Sequence, residues 1–150
     1  ALARLQQVLD NGRAAEVFGR MVASMGGPNN IIERPEQHFA TAPLRRPVFA
    51  RHAGYVTSID TRAVGMAVCT LGGGRRLAGD MLDYRVGLTG LVECGQHVDR
   101  ETPLAWVHAA DETGFEDASH RIAEAVRLTD TATEPCLVVQ ERIDLAALSN

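Results

Sequence analysis

Leucines recur in the first ten residues, ALARLQQVLD, at Leu2, Leu5 and Leu9, a spacing that puts all three on one face of a helix. The pattern opens without a capping residue or an initiator methionine, which suggests the end of a helix cut from a longer chain. Asn11 then offers an N-cap for a second helix, GRAAEVFGRMVASMGG, with Ala14, Phe18, Met21, Val22 and Met25 as its apolar stripe. Gly26-Gly27-Pro28 ends it, because glycine accepts the left-handed conformation and proline cannot continue a helix. The methionines of that stripe read as core or interface packing rather than a cofactor box.

Between residues 28 and 47, Pro28, Pro35, Pro43 and Pro47 break any regular period, so this stretch is a connector with a domain boundary at residues 35–44. A strand-like pattern follows in PVFARHAGYVTSID, predicting two strands separated near Ala53-Gly54. Asp60 caps the next predicted helix, TRAVGMAVCTL, which is apolar on almost every side. Such a helix is expected to lie buried against a sheet, with Gly65 permitting close approach. DYRVGL, GLVECGQHV and PLAWVHA then read as short strands. Thr113 and Glu116 have the spacing of a capping box for a helix over FEDASHRIAEAVRLTDTA, whose apolar face is Ala118, Ile122, Ala125, Val126 and Thr129. A last strand, CLVVQERID, and a frayed end, LAALSN, complete the reading, with no internal repeat or low-complexity tract.

Length and composition narrow the classes. With 150 residues, 45% apolar and 23% charged, the chain suits one ordinary soluble domain, or a domain plus part of another. A net charge of −4 gives no reason to expect nucleic acid or an anionic membrane as partner. No apolar run approaches the ~20 residues of a membrane span, and no basic-then-apolar segment of signal-peptide type opens the sequence. Cys69, Cys94 and Cys136 are scattered and lack CxxC spacing, which predicts reduced, semi-buried thiols in a cytoplasmic protein. His38, His52, His97, His108 and His120 likewise lack ligand spacing, so no metal site is expected.

One fact is sharper: all 15 basic residues are arginine, and lysine is absent. That excludes, within this chain, a Walker-type lysine, a Schiff base, and a biotin or lipoate attachment point.

The stretch LGGGRR, Leu71 to Arg76, is the strongest candidate for phosphate chemistry by composition. Phosphate loops, however, precede a helix and exploit its positive end. These glycines follow one, where carbonyls and partial negative charge collect. Gly72, Gly73 and Gly74 therefore fit a helix C-cap, with Arg75 and Arg76 complementing the dipole, although a short helix beginning after Arg76 is the alternative context. Among other candidates, Asp80 and Asp83 read as loop or turn residues rather than a catalytic carboxylate pair. Asp111 and Glu112 read as turn and helix-start residues, and His108 as a packed or edge histidine. No GxSxG elbow occurs, and the residues alone offer no convincing active site.

The order of four segments is more informative. RLQQVLDNGRAAEVFGRMVASMGGP, GYVTSIDTRAVGMAVCTLGGGRR, DMLDYRVGLTGLVECGQHVD and PLAWVHAADE together resemble the C-terminal third of the bacterial thymidine phosphorylases, of the pyrimidine nucleoside phosphorylase family. The resemblance covers nearly the whole chain and is loosest over residues 28–45 and the last few residues. It implies an α+β chain: residues 1–34 as terminal helices of the family's large phosphate-binding domain, 35–44 as linker, and 45–150 as an α/β-hammerhead domain with a barrel-sandwich-like sheet. It further implies a homodimeric enzyme of pyrimidine salvage that converts thymidine and phosphate into thymine and 2-deoxy-α-D-ribose 1-phosphate, with phosphate as co-substrate and no cofactor.

The departures matter equally. The family's Lys-His-Ser-Thr-Gly-Gly type phosphate loop is absent, as are its pyrimidine-reading arginine, serine and lysine. No catalytic or substrate-binding position carries over to residues 1–150, so the chain alone is expected to be inactive. Since the family closes a cleft between its domains, Arg75 and Arg76 are candidates for cleft or inter-domain contacts, against the plainer reading of a solvated turn. GLVECGQHVDRETPLAWVHA also has the rhythm of biotinyl and lipoyl domains, but without lysine there is nothing to modify. A free-standing, non-catalytic barrel-sandwich interaction module is the alternative function.

Overall fold

The computed structural model describes residues 1–75, 77–134 and 139, and the chain divides into two compact units, Ala1–Thr41 and Ala42–Asn150. Apart from Val139, the predicted strand CLVVQERID, with Cys136, and the frayed end lie outside the described residues.

In the first unit, helix α1 (Leu2–Asp10) is followed by α2 (Arg13–Ser24) and a 3-10 turn at Pro35–Gln37. Asn11 does not cap α2; it closes α1, and Gly12 occupies the N-cap of α2 at φ +77°, where a side chain would be strained. The Asn11 carboxamide instead accepts from the Arg13 N–H at 3.0 Å. At the far end, Gly27 N–H returns to the Val22 carbonyl at 2.9 Å. No residue in this unit is buried, and the leucine and methionine stripes stand open, with Leu2 81% and Met25 79% exposed.

The second unit is α+β. Strands β1 (Leu44–Phe49), β2 (Gly54–Ile59), β3 (Gly87–Thr89), β4 (His97–Val98), β5 (Pro103–Ala109) and β6 (Val126–Thr129) accompany helices α3 (Thr61–Leu71) and α4 (Glu112–Ala125). They form two antiparallel three-stranded sheets, ordered β1-β5-β3 and β4-β2-β6. β1 starts at Leu44, three residues before the predicted strand, so Pro47 lies inside it opposite Trp106. This is tolerable because β1 is an edge strand and the missing N–H breaks no inner ladder. The strands expected over DYRVGL and GLVECGQHV shrink to Gly87–Thr89 and His97–Val98, with turns between them.

β5 is the hub. Its Ala105, Val107 and Ala109 point to one face with the paired Val48 and Leu88, and packing against α4 buries that face beneath Ala118 and Ile122. Leu104, Ile122, Val56, Val98 and Val107 are the largest fully enclosed side chains. Arg46 pairs with Val107, so its side chain emerges on the same face as α4. There it grips Glu112 through its two terminal guanidinium nitrogens, one of the two bonds measuring 2.8 Å, and lies 4.8 Å above the Phe115 ring. On the opposite face Arg45 sits 4.6 Å above Trp106, and Thr89 Oγ1 is 2.9 Å from His108 Nε2.

The helices depart from the sequence reading in three respects. α3 packs chiefly against α4 rather than a sheet, burying only Ala67 and Leu71, and Gly65 is exposed with open space where a Cβ would sit. Its cap is Asp60, whose Oδ1 accepts from Ala63 N–H at 2.9 Å. The N-cap of α4 is Asp111, accepting from Gly114 N–H at 2.8 Å, not Thr113, because Asp111 is extended and its carboxylate reaches the third amide of the first turn. Finally, α4 stops at Ala125; Val126 and Thr129, placed on the helix by periodicity, belong to β6, which pairs with β2.

Two outcomes follow from this packing. Ile122→Ala should lower unfolding free energy by about 2–5 kcal/mol, as fully enclosed aliphatic truncations do, while Met66→Ala on the exposed side of α3 should stay within about 0.5 kcal/mol in the same denaturation series. Arg46 holds the Glu112 carboxyl below the ordinary glutamate range, by hydrogen bonding first and charge second. A carboxyl depressed in the folded state stabilises above its unfolded pKa, and the gain is lost as pH falls through the folded value. The stability difference between wild type and Glu112→Gln should therefore shrink as pH drops below the ordinary glutamate pKa of about 4.3, measured by denaturant titration across the acid range.

Candidate functional site

The segment from the end of α3 to the start of β3 carries the glycine run. Gly72 is the C-cap of α3 at φ +96°, and the Gly73 N–H bonds to the Val68 carbonyl at 3.0 Å, closing the helix in a Schellman-like pattern. A Cβ on Gly74 would stand 2.5 Å from Cys69 Sγ, and one on Gly73 would stand 3.0 Å from Val68 Cγ1, so both glycines serve tight packing onto the last helical turn. The chain then loops out and returns, with Asp83 N–H donating to the Gly72 carbonyl at 3.0 Å.

The loop itself is exposed. Arg75 is exposed, whereas Arg76 lies outside the described residues. Asp80 accepts from Leu77 N–H at 2.9 Å, stabilising a turn. Asp83 accepts from the Arg85 backbone N–H at 3.0 Å and from its guanidinium at 2.9 and 2.7 Å, and these bonds hold its carboxyl at about 2. That aspartate is a fixed anion, unsuited to proton transfer near neutrality. Leu77, Met81 and Tyr84 project outward, 74%, 92% and 88% exposed, an unusual density of large apolar side chains for one loop.

Beside the cap, the end of α3 and the start of α4 enclose a shallow depression lined in part by Thr70, Leu71, Asp111, Thr113, Gly114 and Asp117. Its charged lining is acidic, and one of its helix-start amides is already taken by Asp111. It offers a phosphate repulsion rather than a cradle.

The histidines are dispersed. His38 meets Asn30 at 2.7 Å, His108 meets Thr89, His120 meets Glu124 at 3.4 Å, and His97 packs edge-on against Tyr55 at 4.9 Å. Among the described residues no group of three His, Cys, Asp or Glu side chains could hold a metal ion, and Cys69 and Cys94 are each half-buried.

The sequence reading overlooked a second depression of 220 Å³, between the β1–β2 connection and the α4–β6 junction. Arg51, His52 and Arg127 are among its lining residues, with Leu104, Val126 and Leu128. Residues 51 and 127 are far apart in sequence, and Arg127 falls within the stretch read as helix, so no local signal joins them.

Among the described residues, nothing in these geometries assembles a nucleophile, a base and a stabilising donor around one reacting atom. What the chain does share with known proteins is a sequence family. The family model described as the pyrimidine nucleoside phosphorylase C-terminal domain matches residues 55–129, half of the chain, running from the start of β2 through the glycine run, β5 and α4 to the end of β6. The chain thus belongs to the pyrimidine nucleoside phosphorylase family, of which it carries the C-terminal domain.

Proposed function

We propose that the chain is the C-terminal portion of a thymidine phosphorylase. The parent enzyme would catalyse reversible phosphorolysis of thymidine to thymine and 2-deoxy-α-D-ribose 1-phosphate, as a cytoplasmic homodimer in pyrimidine salvage. Residues 1–34 would be the last helices of its phosphate-binding domain, 35–44 the linker, and 45–150 the C-terminal domain. The family match over residues 55–129 carries this reading. The two open apolar stripes of α1 and α2 are consistent with helices that complete a core in a larger domain.

In this reading the chain supplies shape rather than chemistry. Phosphate and nucleoside would bind upstream, and residues 42 onward would form one wall of the cleft. The loop after Gly74, with the exposed Arg75 and the projecting Leu77, Met81 and Tyr84, would meet the opposite wall. Arg75, together with its neighbour Arg76, would make the cleft or inter-domain contact. The alternative, a free-standing interaction module, would use the same exposed apolar surfaces to bind a partner.

Two experiments test this. The purified 150-residue chain should release no thymine from thymidine and phosphate; phosphate-dependent thymine release would show that it holds a complete active site. In the full-length parent, Arg75→Ala should raise KM for phosphate or lower kcat by about tenfold, the loss of one charge-assisted contact. Unchanged kcat and KM would remove the cleft role and leave a solvated turn.

A further inference from the structure

The connection between α1 and α2 is the dipeptide Asn11-Gly12, and the unit around it is weakly built. Both residues are exposed, and no side chain among residues 1–41 is buried. An asparagine followed by glycine brings an electrophile and a nucleophile together. The carboxamide carbon lies within ring-closing reach of the next backbone nitrogen, and glycine leaves that nitrogen unshielded because it has no side chain.

The local geometry favours that chemistry at three points. Asn11 Oδ1 accepts from the Arg13 N–H at 3.0 Å, so the carboxamide is folded back along the chain and the Gly12 nitrogen lies inside that hydrogen-bonded turn. Gly12 sits at φ +77°, and nothing comes within 4 Å of where its Cβ would stand, so the backbone there can turn without a clash. The Gly12 N–H is held by the Leu9 carbonyl at 3.2 Å, at the long end of the hydrogen-bond range and on the last turn of a helix of 9 residues. Attack requires that bond to open and Asn11 to rotate from ψ +3°, an excursion that a unit without a core resists weakly.

The neighbouring asparagines lack this combination. Asn30 Oδ1 lies 2.7 Å from His38 Nε2, and the β-branched Ile31 that follows it shields the attacking nitrogen. Asn29 is followed by Asn30, whose side chain crowds the nitrogen in turn.

We propose that Asn11 is a site of spontaneous covalent modification in the folded chain. The Gly12 nitrogen gives up its proton and bonds to Asn11 Cγ; the Cγ–Nδ2 bond breaks, and Nδ2 takes up a proton and leaves as ammonia. One water molecule then opens the resulting succinimide at either carbonyl, giving aspartate or isoaspartate, with nothing oxidised or reduced. Either product adds one negative charge at the junction. Isoaspartate also routes the backbone through the former side chain, which lengthens it and disrupts the bonds from Asn11 N–H to Gln7 and from Gly12 N–H to Leu9. The change is one-way, accumulates with the age of the chain and requires no enzymatic activity of it.

Incubation of the folded 150-residue chain in mildly alkaline buffer, with tryptic mapping at intervals, tests the site. Every basic residue is arginine and Arg34 precedes Pro35, so trypsin releases Asn11 on residues 5–13 and both Asn29 and Asn30 on residues 21–45. The first peptide should convert to aspartyl and isoaspartyl forms, isoaspartate in excess, while the second stays unchanged. Asn11→Gln should abolish the conversion and, at an exposed position, leave the circular dichroism unaltered. Because the junction opens readily, conversion in the folded chain should be no more than about tenfold slower than in the same chain unfolded in urea. A larger gap would show that the fold shields Asn11 and would overturn the proposal. Conversion of Asn29 or Asn30 as fast as Asn11, or aspartate formed without isoaspartate, would overturn it equally.

Discussion

Burial of one face of β5 against α4 is the interaction on which the second unit depends. β5 is the central strand of its sheet and ladders with β1 on one side and β3 on the other. Val107 and Ala105 organise the neighbouring side chains around them: Val48 and Leu88 from the flanking strands, Ala118 and Ile122 from above. The same register that turns Val107 inward also turns Arg46 toward α4, where the Glu112 pair and the Phe115 ring pin the first turn of the helix. Once α4 is fixed, α3 has a surface to pack on, and its end determines where the glycine run begins. Exposed ion pairs of the Arg46–Glu112 kind contribute little energy alone, so this pair orients the helix while apolar burial stabilises it.

The first unit lacks any such hub. Helices of 9 and 12 residues with no buried side chain are near the length at which isolated helices are marginal in water. Their apolar stripes are strongly one-sided, the arrangement of helices that belong to a larger core. The chain therefore joins a self-consistent α+β unit to helical material that has little to hold it. Family membership gives that contrast a meaning: the domain that matches is the one with its own core.

What could be read in the sequence was local. α1, α3 and the Asp60 cap were legible because each rests on contacts within a few residues, and the two strands flanking Ala53-Gly54 were legible from their bounding turn residues. The switch from α4 to β6 was not, since EAVRLT continues the helical period without any glycine or proline, and only pairing with β2 decides for strand. The capping box at Thr113 satisfied the spacing rule but lost to Asp111, whose carboxylate reaches Gly114. Arg46 and Glu112 lie 66 positions apart, and Arg51 and Arg127 further still, so neither the clamp nor the basic depression leaves a sequence signature. The family resemblance was legible because its motifs run in order along the chain, and the family match spans residues 55–129.

Hydrogen–deuterium exchange of the intact chain, followed residue by residue, tests the central place of β5 most directly. Amides that open only with global unfolding exchange last, and those in weakly packed segments exchange first. The amides of Ala105 and Val107 in β5 and of Ile122 in α4 should be the slowest, exchanging together, while those of α1 and α2 should exchange far faster. Exchange of the β5 amides as early as those of α1 would contradict a fold built on the β5–α4 face.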